Sequence, residues 1–285
     1  MNETRKFGLG KERMNQWLVG LASGALLFWA EHFINTQIVG LENLKAAVNH
    51  VNGGKGGLLI TPNHSSYLDA ISMNLIRKEI APNKKFTTIW ANKFEGKDEG
   101  KYAGTGQENM NNVLLAGKIG NEAAKRIGIR LVTVPQAVTN PGEARKLARI
   151  FESLGKETLG NNDVLGVFPE GTRSRDGNLG EGKSFLKFLF SDEIVSNTTL
   201  IIPIGIVGTG NYMRPDTDKI NPFSKVTIIY GRPYTVIEAQ KEMKDFGLSN
   251  LSDVMMWHIA QLLPEEKWGV YKDSFQKIKA SQVKI

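Results

Sequence analysis

The chain reads as an α/β fold: a largely parallel central sheet flanked by helices, preceded by a helix suited to docking on a membrane. Three observations predict it. Short, nearly all-apolar runs recur along the chain, as strands do when both faces of a sheet are covered. Amphipathic stretches of helical period separate them, the alternation expected of a parallel sheet. The 285 residues, 41% hydrophobic and 23% charged, suffice for one large domain with a small appendage. The sequence carries no internal repeat and no low-complexity tract.

The first element is the N-terminal one. Residues 1–13 hold Arg5, Lys6, Lys11 and Arg13 against Glu3 and Glu12, and residues 14–30 then run without a charge. A membrane span needs about 20 apolar residues, so this run sits at the short limit. Trp17 and Trp29 stand at its ends, where interfacial anchors belong. The expectation is an uncleaved docking helix within residues 1–35, ahead of an α/β domain over 36–285. A buried core helix is the competing reading. A cleaved signal peptide fits less well, because no small-x-small site follows Ala30.

Strands follow at 57–61, 86–90, 129–134, 164–168, 200–205 and 226–230, with helices near 67–80, 112–126, 141–155 and 183–190. The Gly-rich, charged stretch from Asn92 to Gln107 reads as a loop over the site. Ser249 is placed to cap a last helix whose Leu251, Val254, Met255, Ile259 and Leu262 form a packing face and which Pro264 stops. His258, on that helix, reads as structural.

Composition removes several chemistries. With no cysteine there are no disulfides, thiolate nucleophiles or Cys-based zinc sites. The four histidines, His32, His50, His64 and His258, lack zinc-protease spacing. A formal charge of +7 and a pI of about 9.4 suit anionic lipid surfaces and phosphorylated or CoA-type substrates. No dense basic run and no basic helix interleaved with aromatics is present, which argues against nucleic acid.

Two segments carry candidate chemistry. The run 57–61 leads into Pro62-Asn63-His64-Ser65-Ser66-Tyr67-Leu68-Asp69. Pro62 ends regular pairing, and Asn63 or Ser65 is placed to cap the next helix. A histidine beside a helix N-terminus is kept neutral by the dipole and able to accept a proton. Asp69 is its candidate orienting partner. Five helical residues turn through roughly 500°, so the two side chains meet only if His64 lies in the turn and Asp69 on the first turns of the helix. The second segment follows the run 164–168: Pro169-Glu170-Gly171-Thr172-Arg173-Ser174-Arg175. Gly171 permits a positive φ or a close backbone approach. Arg173 and Arg175 offer forked donors for phosphate oxygens, and Glu170 is a partner for an arginine or a substrate hydroxyl. Taken singly, each is also readable as a capped helix start or a solvated charged turn. Together they fall at strand carboxyl ends, where open α/β sheets bind ligands.

Asn63 to Asp69 resembles the N-H-x-S-x-x-D signature of the glycerolipid acyltransferases, and Phe168 to Ser174 resembles their F-P-E-G-T-R-S block. Ile202-Pro203-Ile204 looks like their later apolar-Pro-apolar block, and residues 38–44 like the stretch before their first strand. The likeness spans roughly residues 35 to 235 and is strongest to bacterial 1-acylglycerol-3-phosphate acyltransferases. It implies transfer of a fatty acyl group from acyl-CoA or acyl carrier protein, as co-substrate and with no cofactor, to an acceptor hydroxyl, without a covalent intermediate. His64 would be the base, Asp69 its orienter, and Asn63, Ser66, Glu170, Gly171, Thr172, Arg173, Arg130 and Lys183 would bind substrate. Phospholipid biosynthesis at the cytoplasmic face of the cell membrane follows from that likeness. One block departs: relatives usually carry an arginine at the end of a strand between the two motifs. Here the region is Arg130 to Gln136, with Arg130, Arg126 and Lys125 upstream instead. Glycerol 3-phosphate or another lysolipid is therefore an alternative acceptor.

Three rival readings accompany this one. Gly177 to Ser184 fits the phosphate-loop pattern G-x-x-x-x-G-K-S, but the preceding strand ends too early to feed it directly. A serine hydrolase would need a G-x-S-x-G elbow, which the sequence lacks. A non-catalytic lipid-binding membrane protein is the third, against which His64, Asp69 and Glu170 stand intact.

Overall fold

The computed structural model describes residues 18–25, 28, 35–66, 69–91, 110–134, 140–174, 176–212 and 225–282. Its centre is an eight-stranded sheet: β1 (Thr36–Val39), β2 (Leu58–Pro62), β3 (Phe86–Ala91), β4 (Ile129–Val134), β5 (Val164–Gly166), β6 (Leu200–Val207), β7 (Val226–Tyr230) and β8 (Tyr234–Thr235). The order is β1-β7-β6-β2-β5-β3-β4, with β8 pairing β6. From β6 to β4 the strands run parallel. Strand β7 turns back antiparallel to β6, and β1 lies parallel to β7 at the opposite edge.

The helices are α1 (Leu41–Asn52), α2 (Ala70–Glu79), α3 (Met110–Arg126), α4 (Pro141–Thr158), α5 (Glu193–Thr198), α6 (Thr209–Tyr212), α7 (Val236–Asp245), α8 (Leu251–Ala260) and α9 (Lys272–Gln282). Alternation along each strand splits the core into two layers. Leu58 and Ile60 pack with Leu44, Val48, Met73, Ile76 and Ala124 from α1, α2 and α3. Leu59, between them in sequence, packs on the other face with Leu147, Phe151 and Leu154 from α4 and Val254 from α8. Both faces are covered, which is why the central strands read as unbroken apolar runs. A third cluster, with Trp257, Trp268, Tyr271 and Phe275, fastens α9 to α8.

The structure corrects several local expectations. Strand β5 stops at Gly166, two residues short of Phe168. The stretch 184–190 is a 3-10 helix rather than an α-helix. Helix α8 is capped by Asn250, not Ser249, through its side-chain oxygen and the Asp253 N–H, and it ends at Ala260, before Leu262. Helix α2 starts only at Ala70, so neither Asn63 nor Ser65 caps it, and Asp69 rather than His64 stands at its N-terminus. Residues 18–25 are helical. The rest of the predicted docking helix lies outside the described residues, as do the loop from Asn92 to Gln107 and Arg175. Among the described residues no helix is long and apolar enough to cross a membrane.

The connections decide where a site forms. From β2 the chain leaves through α2 towards β3 on one side; from the adjacent β5 it leaves towards β6 on the other side of β2. Loops diverging from neighbouring parallel strands open a crevice at their carboxyl ends. His64 follows β2 and Glu170 follows β5.

Candidate active site

Strand β2 ends at Pro62, opposite Ile204. Asn63 then clamps the turn to β6: its Nδ2 donates to the Ile206 carbonyl (3.0 Å) and its Oδ1 accepts from the Ile206 N–H (2.6 Å). The chain reverses through His64, Ser65 and Ser66, and Asp69 closes the reversal. Asp69 Oδ2 accepts from the N–H groups of Ser65 (2.6 Å) and Ser66 (2.7 Å) and lies 3.0 Å from His64 Nδ1. Oδ1 accepts from Thr209 Oγ1 at 2.6 Å, and Thr209 Oγ1 is also 3.0 Å from Ser65 Oγ. The Asp69 side chain is fully buried and that of His64 is 19% exposed.

A buried carboxylate met by three donors besides the ring is held as an acceptor in one position. His64 therefore donates from Nδ1, and the lone pair sits on Nε2. Phe168 stacks on the imidazole with ring centroids 4.0 Å apart and planes 23° apart. The ring is thus fixed by one hydrogen bond along an edge and one packed face.

The segment after β5 folds onto this turn. Glu170 Oε1 accepts from the His64 N–H (2.8 Å) and Oε2 from the Gly180 N–H (2.8 Å), while the Ser174 N–H donates to the His64 carbonyl (2.7 Å). The Glu170 residue is 2% exposed. Burial raises its carboxyl from the ordinary 4.5 to about 7, against the two N–H bonds, with the charges of Asp69 and Asp176 adding to the rise. Gly171 adopts φ +65°, a left-handed conformation that glycine takes without strain, and the Lys183 stem lies over it. Beyond it opens a cleft of about 430 Å³, among whose lining residues are Thr172, Arg173, Lys183 and Val270.

The expected site residues thus separate into groups. His64 and Asp69 meet, with the histidine in the turn and the aspartate at the helix start. Thr172, Arg173 and Lys183 gather at the cleft, and Gly171 packs against the Lys183 stem beside it. His64 is not among the lining residues of that cleft; it adjoins them across Glu170. Asn63, Ser66 and Glu170 are engaged within the fold: Asn63 bonds β6, Ser66 is fully buried with its N–H on Asp69, and Glu170, which lines the cleft, accepts a backbone N–H at each oxygen. Arg130 is displaced most. It sits in one row with Thr87, Leu165 and Leu59, three strands from β2 and five residues short of His64, roughly 20 Å away.

The phosphate-loop reading of Gly177 to Ser184 fails on its donors. The Gly180 N–H is given to Glu170 and the Gly182 N–H to Tyr271 Oη (2.8 Å). Sequence reasoning missed Thr209, Phe168 as a stacking partner, and Tyr271. The available signal for Thr209 was its position just past an apolar strand, followed by a glycine; for Tyr271 there was none.

Residues 35–207 match the family model described as Acyltransferase, more than half of the chain. A search of the curated proteins found no match.

Proposed function

The chain belongs to the acyltransferase family, and from that membership we propose that it transfers a fatty acyl group from a thioester donor, acyl-CoA or acyl carrier protein, to the hydroxyl of 1-acylglycerol 3-phosphate. The observation that carries this reading is the 3.0 Å contact from His64 Nδ1 to the buried Asp69 carboxylate. It leaves Nε2 as a base on the partly exposed side of a turn at a strand's carboxyl end.

In this mechanism Nε2 takes the acceptor's hydroxyl proton as the oxygen attacks the thioester carbon. A tetrahedral intermediate forms, the C–S bond breaks, and the imidazolium returns its proton to the departing thiolate. Asp69 stabilises the imidazolium and holds the tautomer. Thr172, Arg173 and Lys183 bind the acceptor phosphate in the adjoining cleft, so that binding one end of the substrate orients the other. Phospholipid biosynthesis at the cytoplasmic face of a membrane is the setting we propose, with no cofactor. The exposed Leu18, Leu21 and Phe28 support contact of the N-terminal segment with lipid.

The test is a donor-by-acceptor activity matrix on purified wild type and His64→Ala. Expected is transfer to lysophosphatidate by the wild type and a loss of at least a thousandfold in the variant, with its melting temperature close to wild type. Undiminished turnover in His64→Ala would sink the mechanism. Transfer only to glycerol 3-phosphate or to a lysolipid without a phosphate monoester would replace the acceptor.

A further inference from the structure

A second concavity lies away from His64, between the edge strand β4 and helix α4. It encloses about 580 Å³ and has Arg130 on the strand and Arg145, Lys146 and Arg149 on the helix, with Val132, Ile150 and Leu154 as apolar lining. Positions 142, 145, 146, 149, 150, 153, 154 and 157 repeat at three and four, so one face of α4 forms one wall.

Two features separate this groove from an ordinary solvated helix face. None of its four cations forms an ion pair among the described residues. Its one acidic lining residue, Glu157, accepts instead from Ser153 Oγ at 2.5 Å. Like charges gathered in a concave site repel one another and focus a positive potential, which an anion relieves. Three of the four are arginines, whose forks match phosphate oxygens. The volume is that of a small-molecule site, and the apolar lining offers a surface for a ring rather than for water.

We propose that this groove binds the phosphorylated nucleotide end of coenzyme A, and so selects the acyl donor. The assignment rests on the transferase reading for the donor's identity, and on the groove alone for its phosphate chemistry. Distance agrees with it. Arg130 lies roughly 20 Å from His64 by strand spacing and rise. The pantetheine arm with its two phosphates, extended, also spans roughly 20 Å. Arg145 and Lys146, at the start of α4, lie nearer the carboxyl ends of the strands.

The experiment uses the full chain and the exposed pair Arg145→Gln/Arg149→Gln. Adenosine 3′,5′-bisphosphate is titrated calorimetrically into both proteins, and KM is measured for acyl-CoA and for the same acyl group on pantetheine. Expected are binding of the bisphosphate to wild type, a Kd at least tenfold higher in the variant, and a KM rise of the same order confined to acyl-CoA. Wild type that does not bind the bisphosphate, or a variant that binds it equally, overturns the proposal. So does a KM rise of equal size for acyl-CoA and for the acyl-pantetheine, which would mean that the groove does not read the nucleotide end. Because the titration needs no turnover, a wild type that binds the bisphosphate but transfers no acyl group would leave the groove's ligand class standing while the transferase reading failed.

Discussion

Asp69 does the most with the fewest atoms. One oxygen serves two backbone N–H groups and the imidazole, and the other serves Thr209. Replacing Asp69 with Asn swaps one of its two acceptor oxygens for an NH2 donor and removes the charge that stabilises the imidazolium and holds its tautomer. Turnover should fall by about a hundred- to ten-thousandfold, read as kcat in steady-state assays. Thr209→Val removes one donor and leaves the Nδ1 contact in place. Its cost should be about 1 kcal/mol in denaturant unfolding and no more than about tenfold in kcat. The pairing of His64 with Asp69 was legible because both belong to one local segment whose spacing has few solutions. Thr209 was not, since it reaches the site from 140 positions away. Glu170 was legible as a site residue, but its two bonding partners were not. Its partners are backbone N–H groups, which every residue but proline carries and which therefore leave no mark in a sequence.

Among the elements, the loop from Gly177 to Lys183 is held from outside the matched family segment. Leu179 exchanges backbone bonds with Lys267 and Val270, the Gly182 N–H donates to Tyr271 Oη, and Ser252 Oγ donates to the Lys183 carbonyl. Gly269 has φ +52°, and a Cβ there would fall 2.1 Å from the Leu179 carbonyl oxygen, so the approach requires glycine. Tyr271 in turn donates to Asp253 at 2.9 Å. The C-terminal helices thereby set the loop that bears Lys183 and, through Gly180, the position of Glu170. Tyr271→Phe strips the acceptor from a buried N–H, which costs about 1–3 kcal/mol. Expected is a severalfold higher KM for the phosphorylated acceptor with donor KM unchanged; equal changes in both would assign Tyr271 to general stability. Strand positions were the most readable elements, because full burial enforces apolar runs. The 3-10 helix after Lys183 was not distinguishable from an α-helix, since both bury the same side chains and differ only in backbone pitch.

For the molecule as a whole, Glu170 links the site to stability. Its carboxyl is raised to about 7 in the fold from about 4.5, so the folded chain holds this proton more tightly than the unfolded chain. The stability it contributes is complete below pH 4.5 and is lost as pH rises through 7, a decline of about 3 kcal/mol. Unfolding in urea at pH 5 and pH 8 should show wild type losing that increment relative to Glu170→Gln, which cannot titrate; parallel pH curves would remove Glu170 as the source. The sequence by itself determined the layered α/β plan, the positions of β2 to β7 though not of β1 and β8, and the histidine–aspartate pair, because burial on two faces and a short reversing turn are both local constraints on residue type. Tertiary structure alone decided the strand order, and with it the divergence of the β2 and β5 loops, the stapling of His64 by Glu170, the arrival of Thr209 and Tyr271, and the removal of Arg130 to a distant groove. Those outcomes depend on which strands become neighbours and on contacts between distant segments, and a pattern of apolar runs is compatible with many orders of the same strands.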